Sequence, residues 1–183
     1  MAERNFRELI ENKWSEGKFV CVGLDTNALK PPQSIRSVPN QSLAILLGWQ
    51  SALNILIVDS ISDIVCAYKP NVAFYESRGI DGILSLKLMI EQIKKVDSKM
   101  PIILDAKRAD IGNTNIEYAR YAFDYLGTDA ITVHPYLGEE ALLPFLNRKD
   151  ECSIILCRTS NLGASELQDL EVGGKPVWQI VAE

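Results

Sequence analysis

Positive charge is in short supply: 19 lysines and arginines stand against 24 aspartates and glutamates, a formal net charge of -5. Such a chain lacks the basic excess that neutralises phosphates, which argues against nucleic acid or an acidic membrane as a partner. Cysteine is sparse as well, and Cys21, Cys66, Cys152 and Cys157 show no CxxC spacing. Three of them sit in apolar runs, so small core residues in a reducing cytoplasm are expected rather than disulfides or a metal site. The N-terminal MAERNFRELIENKW is charged and has no apolar stretch of the secretory type. The most hydrophobic segment, SLAILLGWQSALNILIVDSI, is interrupted by Gln50, Asn54 and Asp59 and falls short of a membrane span. Its Leu43, Leu46, Leu47, Leu53, Ile57 and Ile61 recur at helical spacing, which predicts a core-facing helix over about 40 to 61. No glycine-rich loop of the Walker or dinucleotide type follows an apolar run, so no cofactor is expected. Internal repeats and low-complexity tracts are missing too.

What is present is a regular alternation. With 183 residues and 47% hydrophobic composition, the chain reads as one domain over 1 to 183 with a sizeable core. Strand-like runs at 19 to 25, 64 to 71, 101 to 108, 130 to 136 and 153 to 160 are separated by helical patterns at about 40 to 61, 83 to 96, 113 to 127 and 139 to 147. That is the order of repeated βα units in an α/β fold with a parallel sheet: a (β/α)8 TIM barrel, or an open doubly wound sheet. The barrel is favoured by the run ends. Asp25, Lys69 and Asn71, Asp105 and Lys107, His134, then Arg158 and Ser160 close the five runs, and a βα barrel gathers such ends on one face.

The densest of these ends is IILDAKRADIGNT, residues 102 to 114. Strand alternation aims Asp105 and Lys107 to the same side, and Asp110 follows at the turn into the next helix. Burial disfavours a charged lysine. Two carboxylates at about 4 Å oppose it, each by roughly 4 kcal/mol at an effective dielectric near 20. Attraction wins, and a lysine held protonated in a dry pocket is suited to quenching a carbanion.

The string DAKRADIGNT resembles the signature Asp-x-Lys-x-x-Asp-Ile-Gly-x-Thr of the orotidine 5'-phosphate decarboxylases, with every fixed position present as Asp105, Lys107, Asp110, Ile111, Gly112 and Thr114. The likeness extends in order through VGLDTN, AYKPNVAFYE, TVHPYLG and RTSNLGA, and is nearest to the longer bacterial branch. Ala109 and Leu162 depart from that branch, where glycine and proline are usual; neither change removes a reacting group. The resemblance implies cofactor-free decarboxylation of orotidine 5'-phosphate to uridine 5'-phosphate in a homodimer with shared sites and no metal. It also implies roles. Lys107 would protonate the pyrimidine carbon, Asp105 would face the substrate carboxylate, and Lys69 would join the network. Asp25 would bind the ribose hydroxyls, Ser160 the pyrimidine edge, and Asp110 and Thr114 would reach into the neighbouring subunit's site.

Two rival readings exist. One is a magnesium-dependent phosphosugar decarboxylase or aldolase of the same barrel group, which shares Asp-x-Lys-x-x-Asp. The other is a catalytically silent, dimerising barrel fragment. Only five convincing strands precede the terminal PVWQIVAE, which reads as a helix beginning at Lys175 or Pro176. The expectation is therefore a chain carrying the first five to six βα units of a longer enzyme, without the arginine that grips the substrate phosphate, poorly stable and nearly inactive alone.

Overall fold

The computed structural model describes residues 4 to 26 and 48 to 183. It opens with helix α1 (Phe6–Ser15), whose first turn is capped by the Asn5 side chain accepting the Glu8 N–H at 3.2 Å. Strand β1 (Val20–Gly23) follows, then α2 (Trp49–Ile61), β2 (Val65–Lys69), the single turn α3 (Ala73–Glu76) and α4 (Gly79–Val96). Beyond these come β3 (Ile103–Arg108), α5 (Gly112–Ala119), β4 (Ala130–Val133), α6 (Glu139–Leu146) and β5 (Cys152–Ile155). Helix α5 runs on through a π-helical stretch, Arg120–Leu126, which ends at Gly127 in the left-handed conformation (φ 75°) that glycine adopts without a Cβ penalty.

The strands lie in chain order and are parallel throughout: β1 on β2, and β3 on β4 on β5. The two ladders meet along a seam, with bridges at Tyr68 to Ile102 and Asn71 to Asp105. Backbone bonds from Tyr68 to Pro101, Asp105 to Pro70 and Val72 to Asp105 close it. Alternation then sorts the side chains. Ile102, Leu104, Ile131 and Val133 pack toward the helices with Leu86, Met89, Ile90 and Phe145. Ile103, Ala130, Cys66 and Ala67 form a second cluster with Ile10 of α1. Arg4 holds both carboxylate oxygens of Asp129 through Nε and Nη2 at 2.7 and 2.8 Å, and the buried Lys13 reaches Asp97 at 2.5 Å, so α1 is fastened across the amino ends of the strands.

Several sequence expectations are corrected in detail. β2 ends on Lys69 and β3 includes Asp105 and Lys107 as read, but β1, β4 and β5 stop short of their polar ends, so Asp25, His134, Arg158 and Ser160, with Asn71 after β2, sit on the loops that follow. The helix expected over 40 to 61 is described from Trp49, with Leu43, Leu46 and Leu47 outside the described residues. Ile57 and Ile61 of the expected stripe do pack against the core, but the most deeply buried positions are others. Gln50, Ser51, Ala52, Asn54 and Val58 are buried, whereas Leu53, Ile57 and Ile61 are half-buried, because hydrogen-bonding partners await the polar side chains on the neighbouring loop and helix. Cys21 was expected in the core and is exposed on the edge strand; Cys66 is buried, Cys152 and Cys157 partly so, and all four are free thiols. The terminal helix, α7 (Val177–Ala182), starts one residue after Pro176, because Lys175–Pro176 pairs with Glu171–Val172 in a hairpin that the sequence reading missed. Among the described residues no helix is long and apolar enough to cross a membrane.

Candidate active site

The carboxylate of Asp105 is the centre of the carboxyl-end face. Lys69, the last residue of β2, donates to its Oδ2 at 2.6 Å, and Lys107 donates to its Oδ1 at 2.5 Å. Thr132, on the same inner face of β4, adds a third donor to Oδ1 at 3.0 Å. Burial alone would push the Asp105 carboxyl up. The hydrogen bonds from Lys107, Lys69 and Thr132 outweigh it and hold the group below the usual carboxylate range.

The pairing of Asp105 with Lys107 was anticipated, but simple strand alternation is not its cause. The register with β4 breaks between Leu104 and Arg108, and Lys107 has φ 48°, the sole described non-glycine residue with positive φ. Both the Ala106 and the Lys107 N–H turn to the Thr132 hydroxyl oxygen, each at 2.9 Å. This bulge re-aims the lysine toward the acid. The dry pocket is also corrected: the Lys107 side chain is half exposed in this chain, and Lys69 is about a third exposed. Thr132 is a site residue that sequence reasoning overlooked, since a buried threonine in AITV looks like any strand residue.

Asp110 does not brace Lys107 as expected. Its Oδ1 accepts the Ile111 N–H at 2.7 Å, and its own N–H is held by Asn115 at 2.8 Å. Asn115, fully buried, also bonds the Ala141 carbonyl and so ties this loop to α6. The asparagine stands one residue past the signature, and nothing in its spacing marked it. Thr114 is half-buried in the first turn of α5, its N–H on the Ile111 carbonyl. Asp25 is exposed beyond β1 and accepts the Asn71 N–H on Oδ1 at 3.0 Å, which brings the loops after β1 and β2 together. Ser160 is exposed on the loop after β5, while Arg158 turns away to Asp169 at 2.8 and 2.9 Å. His134 lies half-buried after β4 with its N–H on the Arg108 carbonyl. The loops after β1, β2 and β3 thus converge as expected, and those after β4 and β5 contribute less. Among the described residues no three histidine, cysteine, aspartate or glutamate side chains are grouped to hold a metal ion.

Comparison with known proteins decides the lineage of this site. The family model described as "Orotidine 5'-phosphate decarboxylase / HUMPS family" matches residues 18–183. This chain belongs to that family. Among curated members, the orotidine 5'-phosphate decarboxylase of Herpetosiphon aurantiacus is 44% identical over 170 residues, covering 92% of this chain and 60% of the relative. That of Cellvibrio japonicus is 40% identical over 179 residues, covering 97% and 63%. Among solved structures, Leishmania donovani OMP decarboxylase superposes with a TM-score of 0.81 at 32% identity, covering 97% of this chain and 63% of that one. Leishmania donovani UMP synthase gives 0.84 at 32% identity over 98% and 36%. The five strands are accordingly strands of a (β/α)8 barrel, and the chain spans about three fifths of the length of these decarboxylase relatives.

Proposed function

We propose that this chain carries the reacting groups of an orotidine 5'-phosphate decarboxylase. The observation that supports it most directly is the double grip of Lys69 and Lys107 on one buried carboxylate. A ring that loses carbon dioxide is left with an electron pair it cannot readily delocalise, so charge has to be met where it develops. In this reading the substrate carboxylate lies against Asp105, its carbon–carbon bond breaks, and the ammonium of Lys107 gives its proton to the pyrimidine carbon. Carbon dioxide leaves, and the neutral lysine regains its proton from solvent. Lys69 keeps Asp105 ionised and in place. The Oδ2 of Asp25, which has no partner among the described residues, accepts a ribose hydroxyl, and Ser160 bonds the pyrimidine edge.

Finer assignments belong to the same proposal. Asp110 and Thr114 serve the site of a second copy, making the protein a homodimer with shared sites, and the setting is the reducing cytoplasm. The five strands form part of a single barrel domain completed by further βα units, which also bring the phosphate-binding arginine. The test is direct assay of orotidine 5'-phosphate consumption by this chain and by a version extended through three more βα units. Each is assayed with magnesium and with a chelator. Turnover that survives the chelator, is greater in the extended version and needs Lys107 supports the proposal. A strict magnesium requirement would transfer the chain to the phosphosugar branch of the barrel group.

A further inference from the structure

Beneath the loop that carries Asp25 lies a buried polar network that the proposed chemistry does not use. Tyr75 of α3 is fully buried, and its hydroxyl donates to the Leu24 carbonyl at 2.8 Å. The same hydroxyl oxygen accepts the Asn54 amide at 2.8 Å, and the Asn54 carbonyl oxygen accepts the Thr26 hydroxyl at 3.0 Å. Gln50 donates to the Thr26 carbonyl at 2.7 Å and accepts from Arg78 at 2.9 Å. Asn54 and Gln50 are likewise buried on α2. The residues on either side of Asp25 therefore have their carbonyls fixed from below by side chains of α2 and α3, while the Leu24 N–H is held by the Lys69 carbonyl at 3.3 Å.

Three buried polar side chains are costly in a core unless each is satisfied, and here they satisfy one another and the loop. The backbone is shaped to admit them. Gly82 of α4 lies so close to Tyr75 that a Cβ there would stand 1.8 Å from the Tyr75 carbonyl oxygen. Above the loop, Asn71 occupies Asp25 Oδ1, and Oδ2 lies over Gly23, where a Cβ would approach it to 3.3 Å.

We infer that Tyr75, Asn54 and Gln50 form a bracket whose work is to aim the Asp25 carboxylate, with Tyr75 as the principal positioning residue. The inference rests on the proposed reading only for what Asp25 then grips, a ribose hydroxyl. Burial, with the nearby Asp25 charge, pushes the Tyr75 phenol up, so it remains a proton donor to Leu24 throughout the ordinary pH range.

The test has a ligand-free and a ligand-bound arm, both on the 183-residue chain. In the first, hydrogen exchange of the Asn71 amide, which reports the bond to Asp25, is followed in wild type, Tyr75→Phe, Thr26→Val and the remote core variant Leu142→Ala. Exchange accelerated about tenfold in Tyr75→Phe, less in Thr26→Val and not in Leu142→Ala is the expected result. In the second arm, affinities for uridine 5'-monophosphate and its 2'-deoxy and 3'-deoxy analogues are compared. A hydroxyl bonded to a carboxylate is worth about tenfold or more. Tyr75→Phe should bring the ribose preference down toward that of Asp25→Ala, with Leu142→Ala keeping it. Asn71 exchange unchanged in Tyr75→Phe overturns the inference; should that variant not fold, unchanged exchange in Thr26→Val does so. A wild-type chain without ribose preference, whose Asn71 exchange still responds to Tyr75→Phe, overturns the role of Asp25 in ribose binding and leaves the bracket standing.

Discussion

The Thr132 hydroxyl accepts the Lys107 backbone N–H at 2.9 Å, and so a residue of β4 fixes the left-handed turn that aims the lysine of the neighbouring β3. Thr132→Val removes an acceptor for two N–H groups and a donor to Asp105. The expected loss is about 2 kcal/mol or more of stability and at least tenfold in turnover. Thr132→Ser keeps the oxygen and should retain most of both. Denaturant titration alongside initial rates makes the comparison.

Lys107→Ala should abolish decarboxylation while leaving the fold and much of the product affinity, because Asp105 keeps Lys69 and Thr132 and the ribose contact proposed for Asp25 is untouched. Circular dichroism and binding of uridine 5'-monophosphate establish the retained half of that expectation. Substantial residual turnover would end the assignment of Lys107 as proton donor.

Subunit mixing examines the role given to Asp110. Lys107→Ala and Asp110→Ala chains, each inactive, should on random exchange recover about a quarter of wild-type activity, because one of the two sites in each mixed dimer carries neither lesion. No recovery, despite exchange demonstrated by mass spectrometry, would assign Asp110 to its own subunit.

Acid sensitivity follows from Asp105. Its carboxyl lies lower in the folded chain than unfolded, so its contribution is complete above an unfolded value of about 4 and is lost as pH falls through the folded one. Asp97 acts with the same sign: burial pushes it up, but Lys13 and the Lys99 amide pull it down further. Stability measured from pH 6 downward should therefore fall more steeply below about pH 4 in wild type than in Asp105→Asn. Parallel curves would show that the charge network contributes nothing to folding.

Replacing a helical glycine by alanine ordinarily stabilises by up to about 1 kcal/mol. At Gly82 the sign should reverse. The new methyl would meet backbone atoms of Tyr75 that have no room to yield, and we expect a loss of about 3 kcal/mol or more, seen as a lowered midpoint in thermal unfolding.

Much of this arrangement was legible in the residues, and what was not has identifiable causes. The βα alternation appeared because parallel strands buried on both faces leave short apolar runs such as PIILDAKR and AITVHPY between helical patterns. The charged cluster appeared because Asp105 and Lys107 have no other reason to end a buried strand. The end of β3 was read correctly, but β1, β4 and β5 were read two or more residues too far, since nothing in the residue types after them marks where the ladder stops. The bulge at Lys107 could not be seen, because it depends on a hydroxyl contributed from position 132. Helix α2 misled for a related reason: its leucines suggested an apolar buried face, but Gln50 and Asn54 are drawn inward by partners at Thr26 and Tyr75 that lie far off in sequence.

The seam between β2 and β3 gives the site a mechanical meaning. Lys69 belongs to the ladder on one side and Asp105 to the ladder on the other, so their ion pair is a clasp between two halves of the sheet. A nucleotide seated on Asp25, Lys69 and Lys107 would bridge the same division. Its binding free energy would then oppose any parting of the halves, about 2.7 kcal/mol at a hundredfold excess over Kd. Substrate, on this view, is also a tie-rod: the chain is most nearly one solid body while it is at work.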